Sequence, residues 1–571
     1  MKLKIMLGCA VGIATVLASC SDQMNYAEYN NYGEEYTKQN FDNIKGMVTN
    51  VYSQMDYDYG TYGAAMEASA CDEAEYAVAG STVESFFNGG WSPSAPLRTW
   101  DADYKAISDI NHYLDKFAYG LTFSELELNQ DYQKQMYRYH HYPFEMRWLR
   151  AYFYFRLVKT FGDVPFYTTD ISKDEVNSLT RTPAADILKF IWDECTEITD
   201  SLPANWENDG NMPETEPGRV NRLGILALKG RAALYAASPL FNANNDKELW
   251  HKAALANKAV LDSCLADGYK LVDDYSTLWG ESNYQTGNGK EVIFARRVGG
   301  LRNLESRNFP AGVDGGNGGN CPTQNLADAY EMKATGKLWN EAGSGYDENN
   351  PFEGRDPRFR LTFACNGDKK WPTYNTTALE TFYGGQNGQG GPATTGATPT
   401  GYYLKKLLNA SVDLRSGKQN TKLHSWITFR LGEFYLNYAE AVFKYLGSAD
   451  ATSSEFPMSA REAVNKIRSR KGVSMPDLPQ GLSNDEFWTR YKRERQVELA
   501  FEGHRFYDIR RWKEADQYKD IVELKITKNA DGTLSYRRET VTRPWDDKMY
   551  FFPISQTERA KNPNLTQNPG W

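Results

Sequence analysis

Apolar residues return at three- and four-residue steps through several long stretches of this chain, and that spacing commits most of it to helices packed on one another. Between Pro143 and Gly162, the residues Phe144, Trp148, Ala151, Tyr152, Phe155 and Val158 fall in one stripe, the pattern of a helix with a single buried face. Pro143 suits the first turn, where a missing N–H is harmless, and Gly162 followed by Pro165 ends the helix. From Val220 to Ala237, small residues recur at Ala227, Gly230, Ala233 and Ala237, a face that lets a second helix approach closely. Leu431, Phe434, Tyr438, Ala441 and Tyr445 repeat the apolar stripe. Further helices are predicted over 40–55, 100–118, 184–201, 247–266, 459–471 and 484–502. The expected fold is mostly α, a scaffold of helical hairpins in a degenerate array without a strict period.

The texture changes between about 268 and 426. Glycine-rich runs at 311–319 (AGVDGGNGG) and 384–391 (GGQNGQGG) alternate with aromatics and prolines. This predicts a large loop-rich lobe with short strands, inserted into the helical frame. Loops of such length in a compact domain are usually functional or mobile. Asp531-Gly532, flanked by alternating residues on both sides, is a hairpin signal.

Residues 1–19 read as a secretory signal, with Lys2 and Lys4 ahead of an apolar run from Ile5 to Val16. The run is too short to span a bilayer as a mature helix. Its ending, Leu17-Ala18-Ser19-Cys20, resembles a bacterial lipobox, which makes Cys20 the expected lipidated first residue of the mature protein. Each buried acyl methylene adds about 0.8 kcal/mol, so several chains together anchor firmly. Residues 20–38 are then a tether and 39–571 a single domain. No later segment offers eighteen consecutive apolar residues. Beyond Cys9 and Cys20, the five cysteines Cys71, Cys195, Cys264, Cys321 and Cys365 are odd in number and widely spaced, so buried free thiols are expected rather than a disulfide framework or a zinc site. The net charge is −9, and losing Lys2 and Lys4 with the signal makes the balance more acidic. That argues against nucleic acid, which requires clustered cations.

Toward the carboxyl end the chain carries RLGEFYLNYAEA (430–441), AVNKIRSRKGV (463–473), ERQVELAFEGHRFYDIRRW (494–512) and YFFPISQTERAKNPNLTQNPGW (550–571). Upstream lie FEMRWLRAYFYFRLVKTFGDVPF (144–166), GRVNRLGILALKGRAALYAASPLF (218–241) and GRDPRF (354–359). In this order the segments resemble the SusD/RagB family of Bacteroidetes outer-membrane lipoproteins, and Ser21-Asp22 resembles the short acidic tract of its surface-exported members. The resemblance implies a tetratricopeptide-like helical side, a face of variable loops that binds ligand, and a noncatalytic role at the cell surface. It also implies an oligosaccharide ligand and a SusC-type TonB-dependent transporter over which the protein acts as a lid. Peptides are the alternative cargo within the same family, and a secreted glycoside hydrolase is the alternative outside it.

The hydrolase reading finds little support in the residues. Glu494, Glu498 and Glu502 stand at four-residue steps, which puts three like charges on one helix face. With Arg468, Arg470, Arg505, Arg510 and Arg511 at hand, a buried ion-pair network fits better than a catalytic pair, because neighbouring arginines lower the pKa that a catalytic acid needs raised. No GxSxG, HExxH or Walker sequence occurs. The adjacent His140-His141 reads as a solvated turn, and neither a metal nor another cofactor is expected. Asp56 and Asp58, with Glu67 eleven residues after Asp56, match a calcium loop only in part, since Gly60 and Thr61 replace a ligand and the turn glycine. Both aspartates are alternatively acceptors for sugar hydroxyls.

A sugar ring has an apolar CH face and a polar rim, so its site should pair an exposed aromatic with amides, carboxylates and arginine. Each ring contact is worth about 0.5–1.5 kcal/mol by analogy with aromatic pairs. The loop STVESFFNGGWSPSAP (81–96) offers Phe86, Phe87, Asn88 and, as the leading candidate, Trp91. The lobe adds Tyr275, Trp279, Tyr284, Asn320, Arg355, Trp371, Tyr374 and Tyr402. Trp100 reads as core.

Overall fold

The structure is a computed structural model that describes residues 33–206, 218–279 and 290–571. Cys20 and Tyr284 lie outside the described residues. The long helices are α1 (Phe41–Ser53), α2 (Asp101–Lys116), α3 (Tyr132–Phe161), α4 (Ala184–Ile198), α5 (Arg222–Ala237), α6 (Lys247–Ala266), α7 (Leu431–Leu446), α8 (Ala460–Arg468) and α9 (Asn484–Glu498). From α2 to α8, each of these packs on the next in sequence, so the frame is a run of helical hairpins. The fold is mostly α, with the insertion entering between α6 and α7.

Local chemistry accounts for several boundaries. Asn40 accepts from the N–H groups of Asp42 and Asn43 at the start of α1, and Ser459 and Ser483 form capping boxes with Glu462 and Glu486 on α8 and α9. The small face of α5 is needed. A Cβ on Gly230 would lie 2.9 Å from Asn257 Oδ1, and Asn257 Nδ2 donates to the Gly230 carbonyl at 3.0 Å, seating α6 against it.

Two expectations for α3 need correction. It begins a full three turns before Pro143, which sits inside the helix at a cost of about 3 kcal/mol. Packing upstream outweighs that cost: Tyr139 meets Phe123 at 5.3 Å and Tyr142 stacks on Phe41 at 6.3 Å. His140 and His141 are therefore helical rather than in a turn, with His141 Nδ1 2.7 Å from the Tyr137 carbonyl.

The strands form four antiparallel pairs: β1 (Ala74–Tyr76) with β3 (Asn320–Pro322), β2 (Val292–Leu301) with β6 (Lys422–Arg430), β4 (Phe363–Ala364) with β5 (Tyr403–Leu404), and β7 (Asp520–Lys528) with β8 (Leu534–Thr542). The last pair is the hairpin closed by Asp531 and Gly532. Cys71, Cys195, Cys264, Cys321 and Cys365 are all buried free thiols. No described helix is long and apolar enough to cross a membrane.

A buried ion-pair network fastens the lobe to the frame. Glu498 takes Arg430 at 2.7 Å, Arg470 at 2.8 Å and Arg358 at 2.9 Å. Glu291 joins Arg430 and Arg470, Glu494 joins Arg358 and Arg468, and Glu502 joins Arg430 and Lys406. Burial alone would raise the Glu498 carboxyl, but the three arginines outweigh it and hold it well below the carboxylate range. A second cluster joins Glu440 to Arg511 at 2.6 Å and Arg511 to Asp508 at 2.8 Å. Helix α9 ends at Glu498, so Glu502 reaches the network from the following turn rather than from the helix face.

Glu498→Gln should destabilise the protein by about 3–5 kcal/mol, because three guanidinium groups lose their shared counter-charge in a dry site. Urea unfolding measures this, and a loss below about 1 kcal/mol would mean that the network is solvated. Burial raises the Glu440 carboxyl but Arg511 more than offsets it, leaving it at about 2 against an ordinary 4.5. Its contribution, about 3 kcal/mol, is present above pH 4.5 and lost as the pH falls toward 2. Urea midpoints should therefore fall steeply below pH 4.5, and Glu440→Gln should flatten that decline.

Candidate functional site

The loop at 81–96 does not present its tryptophan to solvent. Trp91 is 5% exposed, with ring centroids 4.7 Å from Phe86, 4.8 Å from Phe552 and 4.8 Å from Trp571, all edge-on. The carboxyl-terminal segment supplies two of those three rings and covers it, so Trp91 and the buried Phe86 are core and not a platform. Phe87 is half-buried, with the Arg543 guanidinium 3.9 Å over its ring. Asn88 is exposed and accepts the Gly90 N–H at 2.9 Å, closing its own turn.

Asn320 and Arg355 are also structural. Asn320 is fully buried, accepts from the Met66 N–H and the Ser69 hydroxyl, and donates to Asn308. Arg355 is 6% exposed and donates to the carbonyls of Tyr330, Pro351 and Ala327. Tyr275 and Tyr402 are buried, and Trp279 is half-buried beside Lys406.

Asp56 and Asp58 line a small, partly open pocket of about 60 Å³ together with Glu67, Arg98, Lys159 and His504. Asp56 faces Arg156 at 3.6 Å and Arg98 at 3.8 Å and accepts from the Tyr152 hydroxyl. Asp58 accepts from Thr61 Oγ1 at 2.8 Å and from the Glu67 N–H at 2.7 Å. Burial, then the nearby Glu67, pushes its carboxyl up to about 7. Asp58 is buried and engaged by the protein, while Asp56, held by its cations, keeps about 31% of its side chain exposed. No group of three metal-ligating side chains occurs among the described residues.

The aromatic surface lies instead on the lobe. Trp371 and Tyr374, both half-buried, lean edge-on against the buried Phe309, at 5.8 and 6.4 Å. The Trp371 indole N–H is buried, so any face it offers solvent is carbon. Tyr374 donates its hydroxyl to the Asp314 carbonyl at 2.7 Å, within one of the glycine-rich loops. The border is charged. Arg415 lies 5.1 Å from the Tyr374 ring and is held by Asp413 at 3.0 Å, while Lys405 lies 5.6 Å from the Trp371 ring and 2.6 Å from Asp368. Burying a ring face here while pairing hydroxyls with fixed charged groups is chemistry suited to a sugar.

Tyr383 is a further exposed aromatic of the lobe. It is 72% exposed, its N–H donates to the Ile526 carbonyl at 2.9 Å, and its ring rests on Gly390. At Gly390 φ is +73°, and an added Cβ would sit 2.6 Å from the tyrosine ring. The sequence reading passed over Tyr383, although an aromatic immediately before a Gly-Gly run was the available signal.

The architecture is a frame of helical hairpins bearing a loop-rich lobe, on which aromatic side chains are bordered by charge. The chain belongs to the SusD family, whose description matches residues 278–571, and residues 25–227 match the family described as "Starch-binding associating with outer membrane". It is 25% identical over 433 residues to SusD-like protein P2 of Formosa agariphila, covering 74% of this chain and 72% of the relative. Among solved structures, it is similar to a SusD-like protein of Bacteroides fragilis with a TM-score of 0.74 and 23% identity, covering 94% of this chain and 99% of that one. It is also similar to a SusD-like carbohydrate-binding protein of the same species, with a TM-score of 0.72 and 24% identity over 93% of this chain and 100% of that one.

Trp91→Ala should destabilise the fold by about 3–5 kcal/mol, the cost of emptying a packed aromatic site. Tyr383→Ala should change stability by no more than about 0.5 kcal/mol, as expected at an exposed position. Denaturant unfolding of both separates core from platform, and equal small losses would return Trp91 to the surface.

Proposed function

We propose that this protein is a noncatalytic, cell-surface oligosaccharide-binding lipoprotein, anchored to the outer membrane through Cys20, that captures glycan and acts as a lid for a SusC-type TonB-dependent transporter. The observation that carries the glycan reading is the pair Trp371 and Tyr374 on the lobe, whose rings stand beside Lys405 with Asp368 and Arg415 with Asp413, with the exposed Tyr383 as a further lobe aromatic. The match of residues 25–227 to a family described by starch binding and outer-membrane association supports it, as does a structural relative named for carbohydrate binding. The lipobox-like ending at Cys20 and the signal-like residues before it support the anchored location.

Hydrolysis is disfavoured by the state of the aligned glutamates. Glu494 and Glu498 are buried among arginines, so neither is positioned as a proton-donating acid toward a bound sugar.

Calorimetric titration against fructans, α-glucans, plant β-glycans, host glycans and a peptide digest tests the reading, with each mixture assayed for cleavage. Saturable heat with one glycan class and no cleavage is expected. Heat only from peptides would redirect the cargo, and cleavage would overturn the noncatalytic role. Trp371→Ala and Tyr383→Ala should each weaken the responding glycan about two- to tenfold, one ring contact apiece. Cys20→Ala should release the protein from membranes, and detergent-dependent retention of that variant would defeat the anchor.

A further inference from the structure

Buried arginines in this protein are generally matched by carboxylates. Arg358, Arg430, Arg468, Arg470, Arg495, Arg505 and Arg511 each have one within 3 Å. Arg510, 4% exposed, forms no ion pair with any carboxylate among the described residues. Its Nε and Nη1 donate to the carbonyls of Met549 and Phe506, at 3.2 and 2.9 Å. The remaining compensation comes from aromatic faces, Phe506 at 3.5 Å and Trp545 at 5.3 Å. Burial draws the Arg510 guanidinium down to about 10.

Arg543 is a near-equal case. It is 9% exposed and donates to the carbonyls of Ser69, Cys71 and Ala74, and its one carboxylate, Glu75, stands 3.5 Å away. Both arginines line the same cleft, and Lys519, exposed on its edge, adds a third cation. Phe87, Tyr518 and Trp545 form the walls, all half-buried, and no aspartate or glutamate lines it. The enclosed space is about 30 Å³, room for one or two waters or one small charged group, but not for a ring.

We propose that this cleft is a subsite for an acidic substituent, a carboxylate or a sulfate, carried by the captured oligosaccharide, with Tyr518 and Trp545 lying beside the adjoining sugar. The proposal rests on the glycan-binding reading and adds a substrate class to it. Desolvated guanidinium groups without tight counter-ions favour an incoming anion, because the cost of burying their charge has already been met in the empty protein. The acidic net charge does not oppose this. At physiological salt, charges beyond about 8 Å are screened from one another, so the local cations decide.

The test uses the full chain in detergent, titrated with an oligogalacturonate, a sulfated galactan oligosaccharide and neutral oligosaccharides of matched length, at low and high salt. At least one acidic ligand should bind about tenfold or more tightly than its neutral counterpart, with an advantage that shrinks as salt rises. Response to the uronate alone or to the sulfated sugar alone identifies the source of the anion. Lys519→Glu, an exposed change, should abolish the advantage without altering neutral binding or the melting temperature, and Trp545→Ala should weaken the acidic ligand several-fold. Neutral ligands binding as well as acidic ones, or an advantage that survives Lys519→Glu, would overturn the subsite while leaving glycan binding intact. If no oligosaccharide of either kind binds, the glycan reading fails and the subsite with it.

Discussion

The shared carboxylate of Glu498 is the point at which the two halves of the molecule are made into one. Arg470 comes from the helical frame, Arg430 from the end of β6 where it enters α7, Arg358 from the lobe, and all three converge on it inside a dry interior. Removing four such groups from water is expensive, and their mutual attraction roughly repays the cost only in this one arrangement. The network therefore contributes less to net stability than to uniqueness: any other seating of the lobe strands a charge. Glu291, Glu494 and Lys406 extend the same constraint across the junction.

A lobe fixed in this way can carry long loops whose own backbones are glycine-rich. Gly390 makes room for the Tyr383 ring, while Trp371 and Tyr374 pack edge-on against the Phe309 ring. The aromatic surface thus rests on a small local core, itself tied to the frame through buried charge. The residues that most resemble the family, among them Glu498, Arg470 and Arg355, hold the structure together.

Arg510, without a carboxylate among the described residues, and Arg543, with only Glu75 at 3.5 Å, stand apart from the ion-paired arginines of the network. Like the buried Arg355, they are held mainly by carbonyls and ring faces. The cleft they line is chemically unlike the aromatic surface of the lobe, with cations in place of mixed charge.

Much was legible in the linear chain. Three- and four-residue spacing located the long helices, small residues at Ala227, Gly230 and Ala233 foretold the close α5–α6 contact, and Asp531-Gly532 marked the hairpin. Glutamates at four-residue steps beside many arginines pointed to a buried network, because like charges in line demand cations. These features depend on neighbours within one or two turns, so local periodicity and charge encode them. Burial of a loop residue does not. Trp91 sits in a glycine- and proline-rich segment that could equally face water, and only Phe552 and Trp571, arriving from the far end of the chain, bury it. Asp56 and Asp58 were likewise engaged by distant partners, Arg98, Arg156, Tyr152 and Glu67. The start of α3, pulled past Pro143 by packing on Phe41 and Phe123, was decided in the same way. Helix and hairpin were determined by short-range sequence, whereas which aromatics remain exposed was decided by long-range contacts that the order of residues does not express.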